Sequence, residues 1–200
     1  MEQNVIKEAV FENIKQRRST RSYLPKAVPD DIAEQIVEAG RFAPSGMNTQ
    51  ATSFYVISNA GKLTELVETL SRVLANTPVS EGMPPVFVSL INRAKEETVD
   101  VIYGAPLLIV TTSKKGAPHA AADTSCALEN MMLMATASGL GSCWINQFFH
   151  MREAAPIREF FSGIGVPDDE EICGSLAVGY SENIETAPLP RTGYKVKYVK

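Results

Sequence analysis

The sequence predicts an α+β or α/β sandwich, and three observations predict it. Apolar residues recur at helical spacing in several separate segments. Short β-rich runs lie between them: SFYVIS at 53–58, APLLIVTTS at 105–113 and EICGSLAVGY at 171–180. One long stretch, 118–138, is apolar nearly all round, as in a helix buried on several sides.

The elements follow in chain order. Val5, Ile6, Ala9, Val10 and Ile14 give residues 5–16 the spacing of a helix. In PDDIAEQIVEAGRFAP, Pro29-Asp30-Asp31 opens a helix and Pro44 closes it, with Ile32, Ile36, Val37 and Ala39 on the apolar face. SFYVIS reads as a buried strand. Residues 61–74 return to helical spacing through Leu63, Leu66, Val67, Leu70 and Val73. Residues 75–100 hold Pro78, Gly82, Pro84 and Pro85 ahead of a short amphipathic pattern, and read as a long loop or lid. A core strand follows at 105–113. The helix at 118–138 has Asp123 and Glu129 as its only charges. GLGSCWINQF is a turn and a short strand, 151–162 a helix and 171–180 a strand. The tail from Asn183 to Lys200 has no periodicity. No repeat or linker divides the chain, so residues 1–200 read as one domain.

Composition excludes several functions. Hydrophobic residues make up 44% and charged residues 21% of the 200, which suits a soluble globular domain. A net charge of −4 argues against general nucleic-acid binding. No run of about 18 apolar residues predicts a membrane span, and the N-terminus lacks the apolar core of a signal peptide. A cytoplasmic location is the expectation. Cys126, Cys143 and Cys173 are odd in number and widely spaced, which is neither a disulfide framework nor a CxxC pair. His119 and His150 stand apart, so no metal site is expected.

Four stretches carry chemistry. RRSTRSY at 17–23 puts Arg17, Arg18 and Arg21 around Ser19, a set that suits either a phosphate or a helix end. APSGMNTQ at 43–50 offers Ser45, Asn48 and Gln50 on a Pro- and Gly-shaped loop. GLGSCWIN at 139–146 brings glycines and the single tryptophan together, without the GxGxxG of a dinucleotide fold. LPRTGYKVKYV places Arg191 in the tail.

Taken in order, these stretches resemble the flavin-dependent nitroreductase family. RRSTRSY, APSGMNTQ, SFYVIS, ALENMMLMATASGLGSCWI and GSLAVGY carry the resemblance, which runs from about residue 11 to residue 193. It implies an α+β sandwich, a mainly antiparallel sheet between helices, in an intertwined homodimer whose tail (183–200) wraps the partner. It implies FMN as cofactor and NADH or NADPH as donor. By resemblance, Arg17, Arg18 and Ser19 hold the FMN phosphate and ribityl chain with Arg191, and Arg21 sits nearer the N1–O2 edge of the ring. Pro44, Ser45, Asn48 and Gln50 reach the flavin of the other subunit, and Trp144, Ile145 and Asn146 supply backbone near N5. Ala51 and Thr52 depart from the family's usual Pro-Trp, and Leu189 stands in the place of a Lys. The implied reaction is ping-pong hydride transfer to a nitroaromatic, quinone or related small-molecule acceptor, carried by FMN N5 with no catalytic side chain. Reductive dehalogenation, flavin fragmentation, enoyl-type reduction, or FMN binding without turnover are the alternatives on the same fold.

Overall fold

Four strands take up the apolar runs. In the computed structural model, which describes residues 2–184, 187–193 and 195–200, β1 spans Ser53–Ile57, β2 Leu107–Lys114, β3 Gly141–Ile145 and β4 Glu170–Gly179. Every pairing is antiparallel and the order across the sheet is β1-β2-β4-β3. β2 and β4 occupy the middle and are covered on both faces. That is why LLIVTTS is buried without alternation. Thr111 pairs with Gly174 and Thr112 with Ile172, so Cys173 is the extra residue of a bulge in β4.

The helices are α1 (Glu2–Gln16), α2 (Asp30–Arg41), α3 (Ala60–Ala75), α4 (Pro85–Ala94), α5 (Ala120–Ala137), α6 (Gln147–His150) and α7 (Ala155–Gly163). α3, α4 and α7 cover one face of the sheet through Leu66, Leu70, Ile91, Ile157 and Phe161. α2 and α5 cover the other through Ile36, Leu128 and Met131. This is the α+β sandwich with an antiparallel sheet between helices. Among the described residues no helix is long and apolar enough to cross a membrane.

Three segments differ from a reading of local pattern. The stretch 75–100 is not all loop: Pro85 starts a ten-residue helix, and Ile91, Ala94 and Val99 sink into the core beside α3. The helix expected over 151–162 starts at Ala155, behind the single turn of α6. α1 has the expected helical spacing, yet Val5, Ile6, Val10, Phe11 and Ile14 are all exposed. The described part of the tail beyond Ala187 has no helix or strand and is exposed; Glu185, Thr186 and Tyr194 lie outside the described residues.

Candidate functional site

The arginine-rich segment is pinned to the free edge of the sheet. Ser19 bridges Ser142 of β3 in parallel, and Thr20 N–H donates to the Ser142 carbonyl at 2.9 Å. Thr20 is buried there because position 141 is glycine. A Cβ on Gly141 would stand 2.5 Å from Thr20 Oγ1 and 2.7 Å from its Cβ. Tyr23 locks the segment from its other end, its hydroxyl donating to the Thr20 carbonyl at 2.9 Å with the Ala177 carbonyl at 3.2 Å.

The five residues 17–21, leaving α1 and bridging β3 at Ser19, therefore bring three guanidinium groups beside β3. Burial pushes the Cys143 thiol up, while the charges of Arg21 and Arg17 and a hydrogen bond with Ser19 pull it down. Arg17, Ser19 and Arg21 thus act electrostatically on the same β3 residue. Burial also raises the Tyr23 phenol, reinforced by Cys143 and Tyr103 and opposed by Arg21. Arg17 Nε lies 3.6 Å from Glu129 Oε1 on α5. Arg18 donates to the Ala187 carbonyl at 2.6 Å, which ties the start of the described tail to this place, four residues before Arg191. The Arg191 side chain itself is exposed. Ser142 Oγ is the one buried side-chain oxygen or nitrogen without a hydrogen-bond partner among the described residues.

The other end of β3 carries Trp144, Ile145 and Asn146. The Ile145 side chain is buried in the core, so only its backbone can meet a ligand. Trp144 packs on the α2–α5 side, and its indole N–H donates to Asn146 Oδ1 at 3.1 Å.

The loop APSGMNTQ folds against the first turns of α5, on the helix that Glu129 also belongs to. Gly46 N–H donates to Asp123 Oδ1 at 3.0 Å, and Gln50 N–H donates to Ser45 Oγ at 2.9 Å. Met47, Asn48 and Gln50 have φ of 53°, 55° and 50°, a left-handed conformation uncommon outside glycine. Backbone strain of this kind persists only where surrounding contacts enforce it, and it gathers at binding sites. Pro44, Ser45, Asn48, Gln50, Asp123 and Phe54 line a cavity of about 510 Å³.

The predicted residues thus form two groups. Arg17, Arg18, Ser19 and Arg21 sit with Trp144, Ile145 and Asn146 along β3, and the tail reaches them through Ala187. Pro44, Ser45, Asn48 and Gln50 sit together elsewhere. Among the described residues no hydrogen bond or ion pair joins the two groups. α5 links them: Asp123 holds one and Glu129 the other, about 9 Å apart along the helix at 1.5 Å per residue. Sequence reasoning missed the positions that do the holding, namely Thr20, Tyr23, Asp123, Glu129 and Ser142. The signal for two of them is visible, since Asp123 and Glu129 are the only charges on α5.

A family model for the nitroreductase family matches residues 14–180. A crystal structure of a nitroreductase with bound FMN from Bacteroides fragilis is 35% identical, superposes with a TM-score of 0.82, and covers 96% of this chain and 98% of its own. The nitrobenzene nitroreductase of Ectopseudomonas oleovorans is 24% identical over 202 residues, 85% of this chain and 86% of its own. An Archaeoglobus fulgidus protein, provisionally named an NADH dehydrogenase/NAD(P)H nitroreductase, is 25% identical over 169 residues, 84% of this chain and 82% of its own. The family match over residues 14–180 and the FMN-bound structure at 35% identity agree with the sandwich fold, and the chain belongs to the nitroreductase family.

Proposed function

We propose that this nitroreductase-family oxidoreductase binds FMN on the edge of β3, as a homodimer, and passes electrons from NADH or NADPH to a small acceptor such as a nitroaromatic or a quinone. The observation that carries the reading is the Arg17–Arg21 segment bonded to β3 beside Trp144–Asn146.

The residues present fit the cofactor. A phosphate dianion asks for bidentate cations and hydroxyl donors, and Arg17, Arg18, Arg21 and Ser19 offer both. Ser142 Oγ, buried and without a partner, is free to meet a polar group of the ligand. Asn48 and Gln50 carry amides that match the mixed donor and acceptor edge of a flavin ring. The two residue groups belong to opposite subunits in this reading. It accounts for why one chain holds two separated half-sites. The exposed apolar residues of α1, with Phe42 and Met47 at the loop, are the surface a second copy would cover.

Bound FMN would supply the redox chemistry, accepting a hydride from the nicotinamide and returning it to the acceptor. The chain's own residues have other tasks. Arg17, Arg18 and Ser19 anchor the phosphate, with Arg191 brought near by the Arg18–Ala187 bond. Arg21 places a fixed cation where a reduced ring gathers negative charge. Trp144, Ile145 and Asn146 hold backbone amides against the reactive edge. No side chain is needed to move a proton. α4 and its flanks form the lid that shapes the acceptor site, and the tail reaches across to the partner.

An anaerobic visible spectrum of the purified chain with added FMN tests this. Flavin absorbance should bleach with NADH or NADPH and recover with a nitroaromatic or a quinone. A bound flavin that neither nucleotide bleaches refutes the proposed donor, and a chain that takes up no FMN refutes the site.

A further inference from the structure

Gly46 sits between His119, the residue just before α5, and Asp123 in its first turn. Its N–H is held by Asp123 Oδ1 at 3.0 Å. Its α-carbon faces the His119 ring so closely that a Cβ would stand 2.5 Å from Cδ2 and 2.7 Å from Cγ. Real Cβ atoms do not come so near, so position 46 tolerates no side chain unless His119 moves. The three left-handed residues all follow within four positions. Left-handed backbone in non-glycine residues costs free energy that something nearby must offset. The Asp123 hydrogen bond, charge-assisted and partly buried, is the anchor from α5 that offsets it.

We infer that Asp123 is a positioning residue for flavin binding: acting through the Gly46 N–H, it holds the loop in the one conformation that presents Ser45, Asn48 and Gln50, and His119 closes the clamp from the other side. The inference rests on the FMN reading for what the loop binds, though not for how the loop is held. It also explains why an apolar helix keeps a carboxylate at 123. Asparagine at this place retains an acceptor oxygen, whereas alanine does not.

The test uses the full chain with two readouts. Hydrogen exchange over the peptide 43–52 reports the loop directly, and FMN titration reports the site. Asp123→Ala should speed exchange at this peptide at least about tenfold and raise the FMN dissociation constant by a similar factor, with Asp123→Asn restoring most of both. Gly46→Ala should reproduce the loss, and adding His119→Ala to it should recover the affinity, because the clash is then gone. Exchange at 43–52 that is the same in Asp123→Ala and wild type overturns the inference. So does faster exchange with unchanged FMN affinity, or Asp123→Asn as damaged as Asp123→Ala. A wild-type chain that takes up no FMN overturns both the flavin-binding role and the FMN reading. In that event the exchange data still decide whether Asp123 fixes the loop.

Discussion

Thr20 can be buried against β3 because residue 141 has no side chain, and this contact fixes where three arginines stand. Glycine at 141 is needed for close approach and not for its backbone angles, since its φ is not positive. Thr20 Oγ1 and Cγ2 are in the way and so is Thr20 Cβ, which is bonded to the backbone and cannot swing aside whatever rotamer the side chain takes. Gly141→Ala should therefore push the Arg17–Arg21 segment off the sheet edge. The overpacking should cost about 1–3 kcal/mol, read as a lower urea midpoint with an unchanged slope, and FMN should bind more weakly. An unchanged midpoint would show that the segment can shift freely. The sequence shows the arginines and the glycines as separate clusters, ~120 positions apart. Nothing in local pattern says that one glycine exists to seat a threonine beside the other cluster. The same holds for Gly46 and His119. Residue types are legible from spacing, but which of them touch is decided by the sheet order, and that is a property of the whole chain.

The strands and the long helices were legible because their patterns are long and their ends are marked. β2 reads as a buried strand from LLIVTTS alone, and α2 from its Pro-Asp-Asp start with Asp30 and Asp31 in the first turn. α4 looks like part of a loop in the sequence because Pro78, Gly82, Pro84 and Pro85 crowd its start, while its hold on the core comes from Ile91 and Ala94 meeting α3. α1 is the opposite case. Its apolar spacing announces a helix correctly but places its face against nothing in this chain: Val10 and Phe11 are 55% and 60% exposed. The end toward α5 is tied by Asn13 Nδ2 donating to the Leu133 carbonyl at 3.0 Å. A helix patterned for burial and left in solvent is the surface on which the proposed homodimer is tested. Val10→Glu with Phe11→Glu should leave the single chain folded, since neither side chain is in its core, and should weaken the dimer. Each apolar side chain fully covered at an interface contributes about 1.5–3 kcal/mol. The pair should therefore raise the dimer dissociation constant at least about 100-fold. Light scattering behind a sizing column reads the mass directly. A variant as dimeric as the wild type would put the interface elsewhere, and a monomeric wild type would remove it.

At the scale of the whole molecule, the chain is an anion that concentrates cations at one edge of its sheet. Its 23 acidic and 19 basic residues leave a net charge of −4, so the chain as a whole does not attract a phosphate and the attraction is local to Arg17, Arg18 and Arg21. Affinity for the anion has to come from contact geometry, and the fold provides it by binding this segment to β3 so that the side chains leave it at fixed spacing. Glu129 stands 3.6 Å from Arg17 within the same cluster, which keeps the guanidinium oriented at a small cost to the local positive potential. Two consequences separate this electrostatic account from simple stacking of a flavin ring. FMN and riboflavin share the ring and the ribityl chain and differ in the phosphate. Each hydrogen bond between a charged pair is worth about 1.5–3 kcal/mol, so FMN should bind at least about 100-fold more tightly than riboflavin. Raising the salt from about 0.1 M to 1 M shortens the Debye length from about 10 Å to 3 Å, so it should narrow that ratio by weakening FMN while leaving riboflavin almost unmoved. Arg21→Ala should narrow it less than Arg17→Ala, because Arg21 is assigned to the ring edge and Arg17 to the phosphate. Fluorescence titrations of both flavins at the two salt concentrations decide the matter. Equal affinity for FMN and riboflavin would mean that the arginines of RRSTRSY serve the fold and not a ligand.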